Sequence, residues 1–123
     1  MINKDELEQL NKKLKTLTLN DVIKWLLDSY SLDEITFASS LGAEDQVLTD
    51  IILKSEKDFE IFTLDTGRLP QESYEVIDII RFKYGKCIDI VFPDKLSVER
   101  LTTDNGPNLF YDSVELRKKC CSV

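Results

Sequence analysis

No histidine occurs anywhere in this 123-residue chain. That removes the commonest general base and the commonest metal ligand, so a bound metal has to be held by thiolates or carboxylates. Positive charge is also in deficit: 16 Lys and Arg stand against 23 Asp and Glu, a net charge of −7. Phosphate backbones are gripped mainly by Lys and Arg, so no nucleic-acid partner is expected. A small anion stays open as a ligand, because a loop of backbone N–H groups can hold one locally. No apolar run approaches the ~20 residues of a membrane span, and no membrane partner is expected. The opening stretch, MINKDELEQLNKKLK, is charged and lacks the apolar centre of a signal peptide, which reads as a cytoplasmic protein. Cysteines number three. In a cytosolic chain they are not expected to form structural disulfides, and the adjacent two cannot easily pair with each other. Repeats, low-complexity segments and Gly/Ser linkers are missing too, so the chain is one domain at most.

What is present is a regular alternation. Leucines 7, 10, 14 and 17 have helical spacing over Asp5 to Leu17, and Asn20 suits the cap of a second helix, Asp21 to Tyr30. These form a helical lead-in over 1–33. Ile35–Ala38 reads as a buried strand, Ala43–Ser55 as a helix with Val47, Leu48, Ile51 and Ile52 on one face, and Phe59–Leu64 as a second strand. Pro70 suits the first turn of a helix with Tyr74, Ile77, Ile80 and Arg81 on its face, closed by Tyr84-Gly85. Cys87–Phe92 reads as a third strand, and Leu96–Arg100 and Phe110–Cys121 as helical around an Asp104-Asn105-Gly106-Pro107 turn. Strands alternating with helices of this length imply βαβ units, a mostly parallel sheet, and ligands at the carboxyl ends of its strands.

Three segments carry candidate chemistry. In Ser39-Ser40-Leu41-Gly42-Ala43-Glu44-Asp45, hydroxyls, a glycine and a following helix suit a phosphate or sulfate. An ordinary strand-to-helix turn capped by serines is the competing reading. In Leu64-Asp65-Thr66-Gly67-Arg68, main-chain groups can meet the edge of a base, and Arg68 can neutralise an oxyanion. Alternatively Asp65 and Thr66 only cap the helix near Pro70. In Lys118-Lys119-Cys120-Cys121, basic neighbours favour thiolates, the form that binds iron. Two incidental cysteines are the alternative. Cys87, set among Ile88, Ile90 and Val91, reads as a small core residue.

The stretches FASSLGAEDQVL, IFTLDTGRLPQESYEVID and NLFYDSVELRKKCC together resemble the PAPS/APS reductase family of assimilatory sulfate reduction. The likeness runs from residue 34 to 123. It implies an adenine-nucleotide-hydrolase-like (Rossmann-like) α/β domain, with flanking helices, preceded by the helical lead-in. By the same resemblance the substrate-binding residues are Ser39, Ser40, Gly42, Leu64, Asp65, Thr66, Gly67 and Arg68. The substrate is adenylyl sulfate (APS) or its 3′-phosphorylated form (PAPS), and thioredoxin is the reductant. The double cysteine points to the iron–sulfur branch, in which Cys120 and Cys121 would join a later Cys-x-x-Cys around a 4Fe–4S cluster. That branch commonly takes APS.

In the family a cysteine of a Glu-Cys-Gly segment attacks the substrate sulfur. This sequence contains neither that segment nor the Cys-x-x-Cys, and the basic residues that usually follow the double cysteine are missing. The expectation is an incomplete domain that holds no stable cluster and is inactive alone. The loop is also related to the pyrophosphatase motif Ser-Gly-Gly-x-Asp-Ser, with Leu41 in place of the first glycine and Asp45 in place of the last serine. Two rivals therefore stand beside the reductase: an ATP pyrophosphatase or sulfurtransferase on the same fold, and a non-enzymatic remnant.

Overall fold

The computed structural model describes residues 3–55, 57 and 59–122. The first two residues of the lead-in and the terminal Val123 lie outside the described residues. Helix α1 (Lys4–Leu14) opens on a capping box in which Asn3 Oδ1 accepts from Glu6 N and Glu6 Oε2 from Asn3 N, both at 2.9 Å. It stops three residues short of Leu17 and buries nothing. Its link to helix α2 (Leu19–Ser29) includes Lys13, whose ammonium lies 5.7 Å over the Trp25 ring. The cap of α2 is Thr18 and not Asn20: Thr18 Oγ1 accepts from Asp21 N and donates to Asp21 Oδ2.

A short 3-10 turn (Leu32–Glu34) leads into strand β1 (Thr36–Ala38). Helix α3 (Ala43–Lys54), strand β2 (Glu60–Leu64), helix α4 (Gln71–Tyr84) and strand β3 (Asp89–Val91) follow. The sheet is parallel, in the order β1-β2-β3, with Phe37 opposite Ile61 and Thr63 opposite Ile90. Each crossover is one helix, as the alternating apolar pattern requires. Gly85 ends α4 in the left-handed conformation, φ +64°, where a Cβ would be strained. Helices α5 (Lys95–Asn105), α6 (Leu109–Asp112) and α7 (Val114–Cys121) complete the described chain.

Ile23 of α2, Ile52 and Leu53 of α3, Phe59, Ile61, Ile80 of α4 and Ile88 form the core. The half-buried Leu26, Phe37, Leu41, Ile51 and Ile77 pack against it. Only one side of the sheet is sealed. Along β2, Ile61 and Thr63 are buried while Leu64 is 60% exposed. Two expectations change accordingly. Strand β1 is not buried, since Thr36 and Ala38 face solvent, and β3 is three residues long with every residue exposed. Cys87 lies before β3 and is exposed, so it is not a core residue; Ile88 takes that role. In an edge strand with one uncovered face, the inward position falls one residue later than the apolar run suggested.

Candidate functional site

The loop 39–42 leaves the carboxyl end of β1 and enters α3 directly. Ser39 is buried, and its N–H donates to the Phe62 carbonyl at 2.8 Å, extending the ladder by one residue. Its Oγ accepts from Leu41 N at 3.1 Å. Ser40 is exposed and donates twice to one oxygen of Asp45, from its N–H at 2.6 Å and its hydroxyl at 2.7 Å. These bonds hold the Asp45 carboxyl below the usual carboxylate range, the Ser40 hydroxyl contributing most. Gly42 N in turn donates to Ser40 Oγ at 3.3 Å.

The left-handed residue of this loop is Leu41, at φ +63°, and not Gly42, whose φ of −68° is ordinary. A side chain at Gly42 would press on the Ser40 hydroxyl, 3.2 Å from where its Cβ would stand. Gly42 is the cap position of α3 and makes no side-chain cap, so the serines do not cap that helix from its first position.

The second loop is built by Asp65. Buried to 3% exposure, Asp65 donates its N–H to the Val91 carbonyl at 3.0 Å. One carboxyl oxygen accepts from Gly67 N at 2.7 Å, and the other from the Tyr74 hydroxyl at 2.9 Å. That contact raises the pKa of Tyr74, because the ionised phenol would face the carboxylate. Asp65 therefore does not cap α4, whose cap position is Pro70 with no side-chain bond. It ties the loop to the first turn of α4 and holds Gly67 at φ +77°. Thr66 is half-buried beside it. Arg68 is exposed, with its guanidinium 5.8 Å over the Phe110 ring.

The two loops meet. Ala38, Ser39, Ser40, Phe62, Thr63, Leu64 and Leu69 line one cleft of about 400 Å³ at the carboxyl ends of β1 and β2. Thr66, Gly67 and Arg68 line a smaller hollow of about 90 Å³ together with Leu109 and Cys120, so Cys120 lies against the second loop. Among the described residues a larger hollow, about 650 Å³, lies between α2 and α3 and contains none of the candidate substrate-binding or metal-ligating residues. Its chemistry is Asp50, held well below the usual carboxylate range by Lys54 at 2.7 Å and by the Tyr84 hydroxyl. It is an exposed ion-pair network away from the strand ends.

The cysteines divide. Cys120 is buried at 8% exposure, near the fully buried Leu109, while Cys121 faces solvent. Helices α6 and α7 are thus docked through Leu109 and Cys120 respectively. A 4Fe–4S cluster needs four ligands, and this pair provides two. Among the described residues no group of three or more His, Cys, Asp and Glu is placed to hold a metal ion. Thiol labelling should separate the three cysteines. Cys87 and Cys121 are expected to react at least about tenfold faster than Cys120, because access of the reagent limits the buried thiol. Equal rates in the folded chain would show that α7 does not bury Cys120.

Sequence reasoning named Asp45 and Tyr74 but gave neither its role in organising the loops. Asp45 carried a signal, its position in the first turn of the helix, from which a carboxylate reaches back to preceding N–H groups. Tyr74 carried only helical periodicity.

A cleft between the serine loop and the end of β2, at the carboxyl ends of parallel strands, places the molecule among the nucleotide-type α/β domains. Residues 34–123 match the phosphoadenosine phosphosulfate reductase domain, and the chain belongs to that family. It is 46% identical over 91 residues to an adenosine 5′-phosphosulfate reductase of Burkholderia cepacia, covering 74% of this chain and 36% of that protein. Identity to the Allochromatium vinosum reductase of the same name is 47% over 92 residues, 75% of this chain and 36% of the relative. The chloroplastic 5′-adenylylsulfate reductase 1 of Arabidopsis thaliana is 34% identical over 119 residues, covering 97% of this chain and 25% of that protein. This chain thus spans a quarter to about a third of these relatives' length. In fold it is similar to the phosphoadenylyl-sulfate (PAPS) reductase of Candida auris, solved as a phosphate complex. The TM-score is 0.76 at 19% identity, over 94% of this chain and 56% of the other. The fold is adenine-nucleotide-hydrolase-like. No helix among the described residues is long and apolar enough to cross a membrane.

Proposed function

We propose that this chain is the substrate-binding part of a thioredoxin-dependent adenylyl-sulfate reductase, which turns APS into sulfite and AMP in assimilatory sulfate reduction. The observation that carries the reading is the shared cleft, in which Ser39 and Ser40 line one wall and Thr63 and Leu64 the other. Ser39, Ser40 and Gly42 would take the phosphosulfate, and Leu64 to Gly67 the adenosine, with Arg68 beside them. In the whole enzyme a cysteine thiolate attacks the substrate sulfur, the bond from sulfur to the AMP phosphate oxygen breaks, and AMP leaves. The dithiol of thioredoxin then releases sulfite from the S-sulfocysteine and is itself oxidised to the disulfide. The double cysteine and the names of the bacterial relatives favour APS over PAPS. Cys120 and Cys121 would supply two of the thiolates of a 4Fe–4S cluster in that enzyme, whose cytoplasmic location matches its reductant.

Calorimetric titration of the chain with AMP and APS tests this reading. Both are expected to bind, and Ser40→Ala should weaken APS by about 1–2 kcal/mol, the worth of one charge-assisted hydrogen bond. No binding of either nucleotide, or release of pyrophosphate from Mg-ATP, would overturn it.

A further inference from the structure

We infer that Asp45 is a built-in competitor for the anion site, filling with its own carboxylate the place that a sulfonucleotide oxygen takes in the loop 39–42. This inference rests on the proposed substrate-binding role of that loop and adds its regulation. All four consecutive amides of the loop already have internal acceptors. Ser39 N donates to the Phe62 carbonyl, Ser40 N to Asp45 Oδ2, Leu41 N to Ser39 Oγ and Gly42 N to Ser40 Oγ. An incoming anion therefore cannot simply add. It must take donors from an acceptor that can swing away.

Asp45 is the member of that set able to leave. The Phe62 carbonyl is fixed in the sheet, whereas Asp45 is a side chain at the half-buried edge of the loop, carrying a full negative charge. A single one of its oxygens receives both Ser40 donors, at 2.6 and 2.7 Å, the arrangement a terminal sulfate or phosphate oxygen would have. Two anions on the same two donors repel, so binding and the Asp45 contact exclude each other. The contact keeps the loop in one shape while the site is empty, and it lowers the affinity for every anion that needs Ser40.

The test compares Asp45→Ala, Asp45→Asn and Glu44→Ala in titrations with APS, AMP and inorganic sulfate. Thermal unfolding of each variant confirms that it folds. Glu44 removes the same charge from the same helical turn without touching Ser40. Asp45→Ala is expected to tighten APS and sulfate about tenfold, one lost competitor of ordinary hydrogen-bond strength, with AMP changed less. In a Ser40→Ala background the gain should shrink, since the hydroxyl donor is gone while the backbone N–H donor remains. If Asp45 merely orients Ser40, Asp45→Ala weakens APS and Asp45→Asn restores it, and the inference falls. It falls equally if Glu44→Ala gives the same gain, which would mark a diffuse charge effect. If AMP and APS bind but Asp45 variants change nothing, only this inference is lost. If no variant binds nucleotide or sulfate, the substrate-binding reading is lost with it.

Discussion

Ile52→Ala is expected to lower the free energy of unfolding by about 3–4 kcal/mol, read from urea denaturation of purified chain. Ile52 is 1% exposed on the inner face of α3, among Ile23, Leu53, Phe59, Ile61 and Ile80. The loss combines the transfer of three carbon atoms with a cavity that a rigid three-stranded sheet cannot close. Domains of this size have only about 5–15 kcal/mol in total, so the variant should be partly unfolded at physiological temperature. Phe82→Ala provides the contrast. Phe82 is 85% exposed on the opposite face of α4, and its removal should stay within about 0.5 kcal/mol. A similar loss at both positions would mean that the core is not where the packing puts it.

Gly67→Val is expected to reduce nucleotide affinity more than about tenfold and to cost about 2 kcal/mol of stability, since a β-branched residue is poorly tolerated at positive φ. Nothing lies within 4 Å of the Cβ such a residue would carry, so the penalty is one of backbone conformation and not of collision. Relaxing that strain would pull the Gly67 N–H off Asp65 Oδ1 and leave a buried carboxylate with one partner, Tyr74. Leu64→Ile is the matched control. Leu64 is 60% exposed at the end of β2, where a β-branched residue suits the extended backbone, and its loss of affinity should be less than about threefold. Equal damage from both, with both variants folded, would show that side chains and not the loop backbone carry the nucleotide.

The parallel α/β plan was legible because it depends on local signals. Apolar runs of strand length, helical spacing between them and the glycine after Tyr84 each act within a few residues of chain. The limits of that legibility lie where tertiary contacts decide. Thr18 displaced Asn20 as a cap by two residues, a choice local propensity cannot separate. The exposure of Cys87 follows from which face of an edge strand is covered, and covering is a property of the assembled sheet. At the site, the residue types and loops were visible, and both loops do fall at strand ends. Asp65 was visible as a polar residue at the strand end, but its partner Tyr74 lies across a tertiary contact that no spacing rule announces. The left-handed turn falling on Leu41, one residue ahead of the available glycine, was likewise invisible: Leu41 packs against the core, and that packing holds it there.

The strand order β1-β2-β3 has a consequence for how the molecule is made. Every strand pairs with the next one to be synthesised, across a single helix, with partners such as Thr36 and Glu60 or Phe62 and Asp89 about 25 residues apart. Among the described residues no strand has to wait for a distant segment, so these three strands can pair in order from the amino end as the chain leaves the ribosome. The serine loop then gains its anchor on the Phe62 carbonyl as soon as β2 pairs, before β3 has to arrive.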